Sequence, residues 1–206
     1  MRRSILAFVA GALLVACSFF CNTVYAARIV DTGTPDGSMN WGFWRGQYFG
    51  GQFSINSPHT INSIESYFRN VDSNFNSPAG LVDISLHSDG IDSLMPGNIL
   101  FSTQIGMAAN APLDWYGASG LNWSVDPGTY WMTFVPDASI NGNMPGMAPD
   151  PLDFYAQGGW GSWAHGAGEL GIGFRVDANP VPLPTSVLLA GIGMGIAGWR
   201  LRKRRC

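Results

Sequence analysis

Between residues 27 and 179 the chain has three histidines, two glutamates and no cysteine, a thin inventory for catalysis. His59 follows Pro58 in a turn, His87 ends a strand-like stretch, and His165 sits among glycines, so each is isolated in its own segment. No HExxH, GxSxG or Walker pattern is present. A glycosidase needs two facing carboxylates, and nothing in the spacing of Glu65 and Glu169 pairs them. Without cysteine this stretch forms no disulfide, thiolate metal site or cysteine nucleophile. It reads as non-enzymatic, with no required cofactor.

Aromatic residues carry the stronger signal. Seven of the eight tryptophans fall in this stretch, and Trp131 reads as core. Trp41, Trp44, Trp160 and Trp163 lie in glycine-rich, loop-like segments (Trp41-Gly42-Phe43-Trp44 and Gly159-Trp160-Gly161-Ser162-Trp163). Flat aromatic faces beside polar groups stack on sugar rings, which makes extracellular polysaccharide a candidate partner. The same rings would equally plug the ends of a sandwich that lacks disulfides. A second signal is a set of oxygen ligands. Asp31, Asp36 and Asp177 would meet if the first and last strands pair, and Asp89, Asp92, Asp150 and Asp153 mark acidic turns. Calcium suits such oxygens, although aspartate is also an ordinary turn former and no EF-hand loop is present.

All fourteen acidic residues lie in the 27–179 stretch, against only Arg28, Arg45, Arg69 and Arg175, a net charge of −10 where the whole chain carries −3. Such a surface repels nucleic acid and anionic lipid, and better suits divalent cations, neutral sugars or a basic polymer. About 150 residues suffice for one domain with a substantial core.

The positioning elements read as β. Strand patterns cover 47–55, 60–68, 80–87, 98–103, 129–135 and 171–176, separated by Gly, Pro, Asn and Asp turns. In the second pattern Ile61 and Ile64 break strict alternation, which implies a bulge near Asn62 and Ser63. In the third, Val82, Ile84 and Leu86 point one way, and Asp83, Ser85 and His87 point to the other, polar face. No amphipathic helix competes, so the expected fold is all-β, an antiparallel sandwich over 27–178.

Both flanks differ in kind. Arg2-Arg3, an apolar run from 5 to 15 and Val24-Tyr25-Ala26 before Ala27 form a Sec-type signal peptide over 1–26, cut between Ala26 and Ala27. Two rival readings are a lipobox at Cys17 and a twin-arginine signal. Residues 179–206 have three parts. Val181-Pro182-Leu183-Pro184 is a stiff spacer that continues neither strand nor helix. A glycine-rich run, uncharged over 187–199, gives a helix over about 185–201 of roughly 25 Å, slightly short of the hydrocarbon thickness. Arg200, Arg202, Lys203, Arg204 and Arg205 then hold the end on the cytoplasmic side.

This proline motif, glycine-rich span and basic end resemble the PEP-CTERM sorting signals of Gram-negative bacteria, with Leu183 in the position that is usually Glu. The resemblance implies a partner exosortase, a membrane-embedded cysteine transpeptidase-like enzyme that recognises the tail and removes it. It implies an inner-membrane-anchored precursor held by a C-terminal transmembrane helix, then a cell-surface or secreted product in the envelope or biofilm matrix. An ordinary membrane anchor is the plainer alternative. The segment order also resembles the jelly-roll ectodomains that precede such tails: 60–64, then 82–90, Pro96-Gly97, and Pro127-Gly128-Thr129-Tyr130-Trp131.

Overall fold

The structure is a computed structural model that describes residues 26–71, 77–90, 94–165 and 170–181. The expected signal helix, and the tail from Pro182 onward, lie outside the described residues. Among the described residues every regular element is a strand, and every pairing is antiparallel. A four-stranded sheet runs β1 (Ala27–Asp31), β12 (Phe174–Pro180), β4 (His59–Phe68) and β7 (Asp114–Val125). A six-stranded sheet runs β11 (Ser162–His165), β10 (Tyr155–Gly159), β3 (Tyr48–Ile55), β8 (Gly128–Pro136), β5 (Gly80–Asp89) and β6 (Pro96–Met107). A ribbon of β2 (Asn40–Trp44) and β9 (Asn141–Pro145) bridges to Arg69, just past the end of β4.

Aromatic side chains close the space between the sheets. Phe134 of β8 lies 6.0 Å from Phe68 of β4 and 5.7 Å from Phe174 of β12, ring centre to ring centre. Phe101 of β6 stacks on Trp123 of β7 at 5.4 Å. Phe43 of the ribbon is buried 4.8 Å from Phe68, which seals that end of the sandwich.

The irregular spacing in β4 resolves as expected. The ladder to β12 passes from Ile61↔Ala178 to Ser63↔Asp177, so Asn62 is the extra residue. Because one residue is unpaired, Ile61 and Ile64 reach the same face, and both are fully buried.

Two readings need correction. The stretch Trp41-Gly42-Phe43-Trp44 is not a loop but the body of β2. Ser85 and His87 do face away from Val82, Ile84 and Leu86, yet both are buried, and Trp163 packs edge-on against the His87 ring. Trp131 is fully buried, as expected of a core residue. It alternates with Tyr130 and Met132, pairs with His87 and Gln52, and donates its indole N–H to Asp89, on the sheet face opposite the main cluster. The strands β1, β7, β9, β10 and β11 carried no clear pattern.

Phe134→Ala removes the ring through which the six-stranded sheet meets Phe68 and Phe174 of the four-stranded sheet. We expect a loss of about 3–5 kcal/mol, read as a lower urea midpoint with an unchanged slope.

Candidate functional site

Of the four loop-type tryptophans, the structure brings two together. Trp44 ends β2, and its backbone exchanges hydrogen bonds with Gln47 at 2.9 and 2.8 Å, which closes a tight turn through Arg45 and Gly46. Trp160 sits in the turn that joins β10 to β11. The Trp160 amide donates to Arg45 O at 3.2 Å, so the two turns are tied together. The indoles meet edge to face at 5.5 Å, and the Arg45 guanidinium lies 5.9 Å from the centre of the Trp160 ring. With Ala138, Ile140 and Asn141 they line an open cleft of about 330 Å³.

Two glycines make this approach possible. A side chain on Gly159 would strike the carbonyl oxygen of Gly46, and one on Gly46 would strike the Trp44 ring. Trp160 is 71% exposed and has φ of 53°, followed by Gly161 at 88°. Two successive positive φ values form a two-residue hairpin turn that normally selects Asn-Gly. A bulky aromatic in the left-handed region costs about 1–2 kcal/mol, and strain of this kind concentrates at functional positions.

Trp41 and Trp163 do not join the cleft. Trp41 packs on the core edge and donates its indole N–H to Leu170 O at 3.1 Å. Trp163 packs edge-on against Tyr48 at 5.0 Å. Beneath Trp163, His87 Nδ1 lies 3.0 Å from Gly97 O and Nε2 lies 3.1 Å from Thr133 Oγ1. The carbonyl requires a proton on Nδ1, so the neutral ring accepts the Thr133 hydroxyl at Nε2. Burial holds this imidazole below its ordinary pKa, and the Gly97 contact offsets that only in part.

The aspartates are differently placed. β1 and β12 do pair, and Asp31 and Asp177 do share a sheet edge, but arginines occupy them. Arg28 reaches Asp177 at 3.0 Å and Asp31 at 3.3 Å, and Arg175 reaches Asp31 at 3.2 Å. At both carboxylates burial raises the pKa, but the hydrogen bonds outweigh it and leave the group lowered. Asp36 lies apart and accepts the Ser38 amide at 2.8 Å. Asp31 also opens onto a cleft of about 500 Å³ lined by Asp150 and Asp153. Among the described residues no group of three or more His, Cys, Asp or Glu side chains could hold a metal ion.

Sequence reasoning missed Arg45. Its only signals were adjacency to Trp44 and the scarcity of basic residues in the domain. The cleft also has a definite place in the fold. β12 ends at Pro180 opposite His59, Val181 N donates to Pro58 O, and Ala27 pairs with Ala178, so both chain ends leave from one end of the sandwich. The Trp44 turn precedes β3 at the opposite end, about 25 Å away along that strand.

No protein-family model and no curated protein matches the chain. One solved structure to which it is similar is that of infectious bursal disease virus Gx strain, at 11% identity and a TM-score of 0.28. The match covers 78% of this chain and 37% of the viral one, so the chain spans little more than a third of that protein's length.

Two predictions follow from this geometry. Trp160→Asn relieves the left-handed strain but loses the ring contact, so its melting temperature should stay near wild type, whereas Gly159→Ala should lose about 2 kcal/mol or more because it strikes backbone. The second concerns His87. The folded state resists protonating this ring, while the unfolded chain takes up the proton near pH 6.5, so stability falls as pH drops through that value. Urea midpoints between about pH 7 and pH 5 should fall for the wild type and fall less for His87→Gln.

Proposed function

We propose that this chain is an exported, non-catalytic protein of the cell envelope or extracellular matrix, sorted through a PEP-CTERM-like segment at 179–206. The observation that carries this reading is the junction between fold and tail. β12 runs to Pro180, and Val181 donates its amide to Pro58 O, so the strand ends where Val181-Pro182-Leu183-Pro184 begins. At the other end β1 starts at Ala27, the residue after the expected signal cleavage. The strand order supports a jelly-roll ectodomain. The orders β1-β12-β4-β7 and β3-β8-β5-β6 interleave early and late strands, as two Greek keys do, and β2, β9, β10 and β11 are additions to that frame. The tail helix and basic cluster would hold the precursor in the inner membrane until an exosortase acts.

A second reading is favoured by the paired turns: the domain is also a carbohydrate-binding module. Trp44 and Trp160 form an exposed aromatic cleft held in place by strained, glycine-dependent geometry, at the end of the sandwich remote from Ala27 and Pro180. A domain tethered by its tail would present that cleft away from the membrane. Trp41 and Trp163 belong to the packing and not to this surface.

The test of the sorting reading is fractionation with C-terminal immunodetection in a host that carries the sorting enzyme. Pro182→Ala with Pro184→Ala should leave full-length protein in the inner membrane. Neutralising Arg200, Arg202, Lys203, Arg204 and Arg205 together should release the chain with its tail intact. Normal processing of the proline variant would reduce the tail to a plain anchor.

A further inference from the structure

The four arginines of the described domain are not equivalent. Arg28 and Arg175 are held by Asp31 and Asp177, with nitrogen–oxygen distances of 3.0 to 3.3 Å. Arg69 donates twice to Asn143 Oδ1, at 3.3 and 3.1 Å. Arg175 also covers the Trp115 ring at 3.6 Å. Arg45 is exposed, and among the described residues its guanidinium makes no hydrogen bond or ion pair; its one contact is with the Trp160 ring. In a domain of charge −10, a carboxylate partner for Arg45 would be easy to supply, yet none is in place.

The surroundings fit the same logic. No acidic side chain lines the Trp44–Trp160 cleft, which is completed by Ala138, Ile140 and Asn141. The nearest acid in sequence, Asp137, is already committed: its oxygens accept the amides of Leu81 at 2.9 Å, Ser139 at 2.8 Å and Ile140 at 3.2 Å. The cleft therefore offers two indole faces, one amide side chain and one uncommitted planar cation. A guanidinium fork matches a carboxylate in a bidentate pair, while an indole accepts the apolar face of a sugar ring.

We propose that the Trp44–Arg45–Trp160 cleft binds an acidic glycan, with Trp160 stacking on a sugar ring and Arg45 pairing with a ring carboxylate. The ligand class is a uronic-acid oligosaccharide, read by Arg45 locally in a cleft that no acidic side chain lines, although the domain's charge of −10 opposes a polyanion elsewhere on the surface. This inference rests on the carbohydrate-binding reading and narrows it.

The test compares ligands that differ only in charge. The full-length chain is titrated calorimetrically with hexamers of galacturonate, mannuronate and glucuronate, each as the free acid and as the full methyl ester. For at least one of them the free acid should bind about tenfold or more tightly than its ester. Arg45→Gln should remove that preference, and Arg45→Lys should keep only part of it, because an ammonium lacks the planar fork. Trp160→Asn, whose turn chemistry favours the native hairpin, should lose acid and ester alike. Equal affinity for acid and ester, or an Arg45→Gln variant that still prefers the acid, overturns the acidic-glycan proposal and leaves the module reading standing. Absence of binding to all six hexamers, or binding that Trp160→Asn does not affect, overturns both.

Discussion

The contact of Phe134 with Phe68 and Phe174 joins two sheets that no disulfide connects. With no cysteine in the domain, the relative position of the sheets rests on burial and ring packing alone. The consequences run outward from Phe174. Its ring stacks with Tyr155 of β10 at 6.0 Å, and Tyr155 is itself fully buried. The Tyr155 hydroxyl accepts the Leu152 amide at 2.9 Å and donates to Ile172 O at 3.1 Å. Burial pushes its pKa up to about 12, so it stays a neutral donor across the ordinary range. β10 is therefore fixed from its first residue, and the hairpin that carries Trp160 extends from a rigid base.

A rigid base explains how the turn tolerates its own geometry. Isolated, a Trp-Gly turn with two positive φ values would relax to another conformation. Here Gly158 and Gly159 face Tyr48 and Gly46 so closely that no side chain fits at either position, and the Trp160 amide is held by Arg45 O. Local strain persists where its surroundings over-determine it. Trp163 completes the arrangement on the sheet's outer face. It packs against Tyr48 and over His87, which converts one polar face of the sheet into a buried, hydrogen-bonded layer. Two tryptophans three residues apart thus have opposite duties, one sealing the sheet and one facing solvent.

That division explains what the sequence could and could not convey. Alternation in β5 and β8, and the break at Asn62 in β4, were legible because successive side chains point to opposite faces, although both faces are buried over 84–87 in β5 and 130–134 in β8. Alternation fixes which residues share a face, but not whether another element covers that face, so His87 was placed correctly along the strand and misjudged in environment. β7 escaped notice because Gly117, Gly120 and three serines or asparagines dilute its apolar signal; its order comes from pairing with β4. The tryptophan clusters were visible as composition. Which pair would meet depended on the contact of Gly46 with Gly159, over a hundred residues apart, which no local pattern encodes.

Charge shows the same limit in sharper form. Over 27–179, counting gives four arginines against fourteen acids, and the count treats the four alike. Register separates them. The pairing of Arg28 with Asp177 and of Asp31 with Arg175 across β1 and β12 turns two arginines into cross-strand partners at a sheet edge. Exposed pairs of this kind add little stability individually, but they satisfy the carboxylates that might otherwise have gathered a cation. Arg69 is taken by the ribbon at Asn143. What remains is a single unpaired guanidinium beside two indoles, at the end of the sandwich farthest from both exits of the chain. Its isolation follows from the ladder that consumes its counterparts, so the electrostatic character of the cleft is a product of the fold and not of the composition.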